Sequence, residues 1–246
     1  MRDLVLSDIH GNLDALDACL ADAAARGFDR TLILGDIVGY GAEPGAVIAR
    51  VQALAPEVIV RGNHDKVACG LDSADGFNSV ARAAVAWTRE HLGEADRAWL
   101  AALPRGPVAV DDLVEICHGA PFDEDAYIFD ELDAHRALRT ASRPLCLFGH
   151  THQAVAFVLA GESLSASLPE GSDTLLALDP DARYLVNPGA VGQPRDGDAR
   201  AAYGVVDGEA RTVTLYRVAY DVQGAQRKIL RAGLPEVLAS RLSAGR

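Results

Sequence analysis

The strongest constraint in this 246-residue chain is a recurrence. Five short apolar runs each break off at a loop that combines glycine or a small residue with Asp, His or Asn. The loops are Asp8-Ile9-His10-Gly11-Asn12, Gly35-Asp36, Gly62-Asn63-His64-Asp65, Cys117-His118-Gly119 and Gly149-His150-Thr151-His152, and they hold five of the seven histidines. In α/β sheets, loops beyond the carboxyl ends of neighbouring strands meet in one crevice. The recurrence therefore predicts a single shared site. Its side chains offer oxygen and imidazole nitrogen and no thiolate, a donor set that suits Mn, Fe or Zn and differs from a cysteine-type structural zinc site.

The rest of the pattern is consistent with such a sheet. Residues 2–7 form an apolar run, and residues 13–25 carry apolar positions at helical spacing between Asn12, a possible N-cap, and Gly27, a stop. A strand at 31–36, a helix near 44–54 and a strand at 57–60 follow, which is the order of a parallel sheet with helices outside. Residues 75–103 read as helix broken near Gly93, 107–119 as a hairpin turning at Asp111-Asp112, 130–141 as helix and 144–150 as strand. From 154 to 218, short β-like runs alternate with turns, which predicts an antiparallel-rich region. Within it, Gly161 to Asp173 reads as the most loop-like stretch and a candidate mobile hairpin. Residues 221–243 are helical with a break at Gly233-Leu234-Pro235. With no low-complexity linker and no internal repeat, the expectation is one domain over 1–246: two packed sheets with helices on the outer faces.

Composition narrows the functions. The chain carries 35 acidic against 23 basic residues, a net charge of -12. It lacks the basic footprint of a non-specific nucleic-acid binder, so no stable nucleic-acid partner is expected. An anionic substrate would need local positive charge, which metal ions supply. Cys19, Cys69, Cys117 and Cys146 are widely spaced and form no CxxC pair; a disulfide framework is not expected and a reducing compartment fits. No apolar segment approaches the roughly 20 residues of a membrane span, and no signal peptide is evident. The expected location is the cytoplasm, with no membrane partner; the oligomeric state is not legible.

In order and spacing, D-x-H-G-N, G-D, G-N-H-D, H-G and G-H-T-H over residues 8 to 152 resemble the calcineurin-like metallophosphoesterases. Asn187-Pro-Gly-Ala-Val-Gly-Gln-Pro-Arg195 is similar to the compact bacterial phosphodiesterase branch of that family. The resemblance implies an α/β fold, a four-layer α-β-β-α sandwich of two mixed sheets with a dinuclear metal site at strand ends. It implies two divalent or trivalent ions (Mn, Fe or Zn), one held by Asp8, His10, Asp36 and His152 and the other by Asp36, Asn63, His118 and His150. Asp36 would bridge them. It also implies a metal-dependent phosphodiesterase or phosphatase in which a metal-bridging hydroxide attacks a small phosphoester, nucleotide-like diesters among the candidates. His64 would protonate the leaving group. An alternative is a non-catalytic protein-interaction scaffold on the same fold.

The residues beside this set have competing roles. His150 and His152, two apart, are expected to share a face if the segment is extended. Asn12 either caps the first helix or touches substrate. Asp65 is expected to steady its loop, and His91 and His135 have no expected role in the site. Arg195 is either a surface arginine or a fork of donors for a phosphate oxygen. In the protein Ser/Thr phosphatase branch an Asp-Arg pair follows the bridging aspartate. Here Gly39 and Tyr40 stand at those places, which argues against that activity. Tyr40 is left either to pack its loop or to stack on a flat leaving group, and Phe122 and Tyr127 are candidates to line the substrate pocket.

Overall fold

The computed structural model describes residues 1–246. Two six-stranded mixed sheets pack face to face. The first has the order β3-β2-β1-β11-β12-β9 and the second β4-β5-β6-β10-β7-β8. In the first, β1 (Arg2–Leu6), β2 (Arg30–Ile33) and β3 (Val58–Ile59) are mutually parallel, and β11 (Ala201–Asp207), β12 (Thr212–Val218) and β9 (Asp173–Ala177) continue antiparallel. In the second, β5 (Val114–Ile116), β6 (Leu145–Leu147) and β10 (Ala182–Asn187) are parallel. The strands β4 (Val108–Ala109), β7 (Val155–Ala160) and β8 (Ser163–Ser167) pair antiparallel beside them.

The strands that reach the crevice are apolar on both faces because both faces are covered. Val5, Leu32 and Leu34 meet Ile116, Leu147 and Val186 between the sheets. Leu4, Leu6 and Ile33 face outward onto Leu16 and Leu20 of α1 (Leu13–Arg26) and Val47 and Val51 of α2 (Pro44–Ala53). On the far side, Cys146, Phe157 and Leu185 pack on Ala134, Ala137 and Leu138 of α6 (Glu131–Thr140). The result is the expected α-β-β-α layering. A further group, α7 (Val222–Arg231) and α8 (Glu236–Ala244), packs Ile229, Leu238 and Leu242 against Tyr40 and Ala84 of α4 (Ser79–His91). No helix is long and apolar enough to cross a membrane.

Two expectations change. Gly62-Asn63-His64-Asp65 is not only a loop: Asn63 opens α3 (Asn63–Cys69), with Gly62 as its cap residue. The helix ends at Gly70, and α5 (Glu94–Ala102) packs beside it. Seven residues held by tertiary contacts carry too little periodic signal to be read as helix. The stretch 161–173 is not a free hairpin either. Ser163–Ser167 pairs with β7 in full register, and its short, small, polar side chains belong to an edge strand with one solvated face.

Candidate metal centre

Each ligand-type residue sits just past the end of a parallel strand, and the backbone there is unusual. Asp8, His10, Asp36, His150 and His152 all adopt positive φ, between 49° and 67°. For a residue with a side chain this left-handed conformation costs roughly 1–2 kcal/mol. Strain of this kind persists only where surroundings over-determine it, and the surroundings do so here. Asp8 N–H donates to Gly35 O (3.1 Å), His10 N–H to Asp36 O (2.9 Å) and Gly192 N–H to Asp8 O (2.9 Å). In the second sheet, Gly149 N–H donates to His118 O (2.8 Å) and Arg195 N–H to His152 O (3.1 Å). Asn187, at the end of β10, gives one amide to Gly149 O (2.8 Å) and Thr151 Oγ1 (2.9 Å). His150 and His152 therefore reach the same crevice from two left-handed residues, and the extended segment expected from their spacing is corrected.

The histidine rings are locked by their outward nitrogens. His10 Nδ1 donates to Val38 O (3.0 Å), His118 Nδ1 to Leu34 O (2.8 Å), His152 Nδ1 to Gln193 O (2.6 Å) and His150 Nε2 to Asp125 O (3.1 Å). This fixes each tautomer and turns the remaining lone pair inward. The inward nitrogens then face one another. His10 Nε2 lies 3.1 Å from His152 Nε2, and His118 Nε2 lies 3.1 Å from His150 Nδ1. Two lone pairs at that distance repel unless a proton or a metal cation lies between them. Nitrogens bound at ~2.0–2.1 Å to one ion with angles near 90–109° sit roughly 2.9–3.4 Å apart, so the spacing fits a metal.

The carboxylates complete two donor groups, Asp8–His10–Asp36–His152 and Asp36–His118–His150, each gathered within 4.8 Å. Asp36 Oδ2 is 3.3 Å from His10 Nε2 and 3.5 Å from His118 Nε2, so one oxygen lies between the two pairs. Asp36 Oδ1 accepts from His64 N–H at 2.9 Å. Asp8 Oδ1 is 3.4 Å from His152 Nε2, and Asn63 Oδ1 is 3.3 Å from His118 Nε2. A side chain at Gly62 would run into Asp36 Oδ1, so that position requires glycine.

Burial opposes charge throughout the cluster. It lifts Asp8 to about 6 against the pull of His118, and it holds His10 and His152 well below the usual imidazole range. Burial would also raise Asp36, but His118, His64 and His10 outweigh it and keep that carboxyl ionised. Burial would lower His118, yet Asp36 holds it up to about 10. Such a site, with buried acids facing imidazole nitrogens, favours a cation over water.

His64 is buried beside the cluster, its ring 4.6 Å from Phe77, 4.4 Å from Tyr40 and 4.9 Å from His10. Its Nδ1 is buried without a partner. A methyl group at Gly39 would lie only 2.5 Å from that atom, and Gly39 is at φ 92°. The ring thus occupies the space where a side chain at 39 would be, and no aspartate partner can be built there. Burial pushes His64 down to about 4, against the attraction of Asp36, so the resting imidazole is neutral.

The remaining expectations divide. Asp65 steadies its loop, accepting from Ile37 N–H, Val38 N–H and Gly62 N–H at 2.9–3.1 Å. Asn12 is a cap: its oxygen accepts from Ala15 N–H (3.2 Å) and its amide donates to Gly192 O (2.9 Å). Both ends of that side chain are held by the backbone. Tyr40 is 6% exposed, its ring packed on His10 and His64 with the Arg195 guanidinium 5.5 Å from its centroid. Little of the ring is exposed, and its neighbours make loop packing its role in this structure. Arg195 is half-buried at this edge, its Nη2 donating to Gln193 Oε1 at 3.1 Å. Phe122 packs in the core around α6, with Arg136 over its ring.

Sequence reasoning missed Ser7, whose hydroxyl donates to Asp8 Oδ2 at 2.7 Å, and Asn187 as a brace. Ser7 precedes a ligand and Asn187 opens an N-P-G turn, so each had a faint signal. The carbonyls that set the tautomers had none, because a backbone acceptor carries no residue type.

A sequence profile described as the calcineurin-like phosphoesterase superfamily domain matches residues 1–211. An uncharacterised protein of Methanocaldococcus jannaschii is 36% identical, covering 98% of this chain and 97% of its own length. A metallophosphoesterase crystal structure from Sphaerobacter thermophilus superposes with a TM-score of 0.88 at 39% identity, covering 100% of this chain and 99% of that one. A hypothetical protein from Pyrococcus horikoshii shares the fold, with a TM-score of 0.78 at 23% identity over 100% of this chain and 98% of its own.

Proposed function

Since the chain belongs to the calcineurin-like phosphoesterase superfamily, we propose that it is a dinuclear metal-dependent hydrolase of a small phosphoester, acting as a phosphodiesterase or phosphatase. The observation that carries this reading is the two pairs of facing imidazole nitrogens, 3.1 Å apart in each group, with Asp36 Oδ2 between the groups. Asp8, His10, Asp36 and His152 would hold one ion, and Asp36, Asn63, His118 and His150 the other. Imidazole, carboxylate and amide donors without thiolate favour Mn, Fe or Zn. Two such ions, bound together, acidify water and neutralise phosphoryl oxygens.

The chain's own groups supply the rest. Asp36, kept ionised, balances both cations at once. Ser7 and the backbone carbonyls hold the ligands so that little reorganises during reaction. Arg195, whose charge acts on Asp8, His10 and His152, has fork geometry for a phosphoryl oxygen. His64 donates a hydrogen bond to the leaving oxygen and passes a proton as charge builds there. With no carboxylate behind it, the ring depends on the arriving anion to favour its protonated form. The four free cysteines suit a reducing, cytoplasmic setting; Cys117 Sγ and Cys146 Sγ lie 3.7 Å apart as thiols.

The test pairs metal analysis with turnover of bis-p-nitrophenyl phosphate. Two ions per chain are expected, with activity lost to a chelator and regained with Mn²⁺; a fully loaded protein that leaves both this diester and the monoester p-nitrophenyl phosphate intact overturns the hydrolase. His64→Ala is expected to keep both ions and to slow alkyl diesters at least tenfold more than p-nitrophenyl ones, whose leaving group needs no proton. Equal slowing of both removes the proton-donor role.

A further inference from the structure

Beside Asn63 and His150 the surface opens into a cavity of about 270 Å³ that also meets Phe77, Tyr127, Asp72 and Asp125. Its two aromatic walls grow out of the site itself. On one side Phe129, Tyr127 and His150 form a tier: Tyr127 stacks on His150 at 3.8 Å and 21°, and on Phe129 at 5.0 Å and 8°. On the other side Phe77 packs on His64 at 4.6 Å and 36°.

These rings lie over polar neighbours, yet Tyr127 is 43% and Phe129 63% exposed. The core around α6 takes Phe122, in the turn closed by Ala120 and Asp123, and leaves both of these rings outside. Exposed aromatic surface next to a polar reaction centre is the mark of a ligand-facing wall. The walls are also pinned. Lys66, 6% exposed, reaches Asp125 (2.5 Å) and Glu124 (3.4 Å) on the Tyr127 side and Asp72 (3.7 Å) on the Phe77 side. Arg61 adds a two-pronged pair to Glu124, each bond at 3.1 Å. One buried ammonium thus ties both loops to α3, so the gap between the rings is set by the fold. No cation in this group is free to meet a second phosphate, since Lys66 and Arg61 are already committed to acids.

We propose that this cavity is the subsite for a flat ring, a nucleobase or aryl group attached to the phosphoryl group, with Phe77 and the exposed edge of Tyr127, whose ring is already stacked between His150 and Phe129, as specificity-determining contacts. The location of the phosphoryl group rests on the hydrolase reading above; the ring's place follows from the rings that line the cavity. Every base or aryl group has a π-face, so stacking selects for flatness and tolerates the identity of the base.

Titration calorimetry of the Mn²⁺-loaded protein with adenosine 5′-monophosphate and ribose 5-phosphate tests the subsite without turnover. The nucleotide is expected to bind about tenfold more tightly than the sugar phosphate, in keeping with the usual strength of base–aromatic stacking. In Tyr127→Leu and in Phe77→Leu the gap should fall below about threefold, with ribose 5-phosphate affinity unchanged. Tyr127 is largely at the surface, so its variant is expected to fold; Phe77→Leu is the independent second probe. Equal affinity for the two compounds in the parent protein, no binding of either, or an undiminished gap in both variants overturns the subsite. Diester and monoester turnover is read separately: activity without a gap sinks the subsite alone, and a gap without activity on either ester sinks the hydrolase alone.

Discussion

Each sheet contains two kinds of strand, and only one kind builds the site. β1, β2 and β3 in the first sheet and β5, β6 and β10 in the second are parallel triads, and all six run out into residues of the cluster or its braces. The antiparallel strands β7, β8, β9 and β12 turn back through loops that carry none of the ligands. Parallel pairing puts successive carboxyl ends on one edge, whereas antiparallel pairing sends alternate ends away. The parallel triads therefore concentrate the cluster and its strain, with five left-handed Asp and His residues at their ends. The antiparallel flanks widen the sheets and cover the core.

The sharpest way to break that division is at the residue where the two triads meet. Asp36→Asn preserves an oxygen to accept His64 N–H, a 2.9 Å bond in the parent, and removes the charge shared by both donor groups. Metal content is expected to fall at both sites together, with turnover down at least about a thousandfold, the scale of losing a principal electrostatic group. The parent should gain thermal stability on adding Mn²⁺, about 2.7 kcal/mol at a hundredfold excess over Kd, and the variant little of it. Loss of a single ion, measured by elemental analysis, would mean that Asp36 serves one triad only.

How much of this was legible follows the same line. The parallel strands announced themselves because continuous apolar runs stopped at Asp8, Asp36, His118 and His150, and residue type there is dictated by chemistry. Asn12 as a cap was legible for the same reason. The conformations were not: the left-handed φ of His150 and His152 is imposed by Asn187 and by backbone bonds from β10 and the loop beyond it, distant in sequence. Tyr40 suggested stacking because aromatic type is visible in a sequence while its neighbours, two imidazoles and the α7–α8 pair, are not. Tyr127 was readable as a pocket candidate, but Phe77 was hidden in a stretch read as helix, since its partner His64 lies on another element. In the flanks, β8 was misread as loop because Ser163–Ser167 alternates weakly, and its pairing with β7 settles what propensity does not.

A smaller effect is expected at Arg195, which stands on the loop after β10 and donates through its backbone to His152 O. Arg195→Ala keeps that N–H and removes only the guanidinium. If the side chain grips phosphate, KM should rise about tenfold with kcat changed less, as for one charge-assisted hydrogen bond of ~1.5 kcal/mol or more. Metal content should not change. Unaltered kinetics would confine the contribution of the β10 loop to holding His152, and would leave the approach to the cluster without a fixed cation.

The smallest effect belongs to the flank. Leu175 lies on the edge strand β9, opposite Thr214, and is 67% exposed. Leu175→Thr trades one strand-compatible side chain for another and removes apolar surface that the core does not use. Stability is expected to stay within about 0.5 kcal/mol of the parent, with metal content and diester turnover unchanged. The comparison predicts this indifference because two strands, β12 and β11, separate β9 from β1 in the sheet, and the Leu175 side chain points to solvent. A loss of bound metal in this variant, with melting unchanged, would show that strain at the left-handed loops is balanced from across the whole sheet. The division between parallel triads and antiparallel flanks would then describe topology without describing energetics.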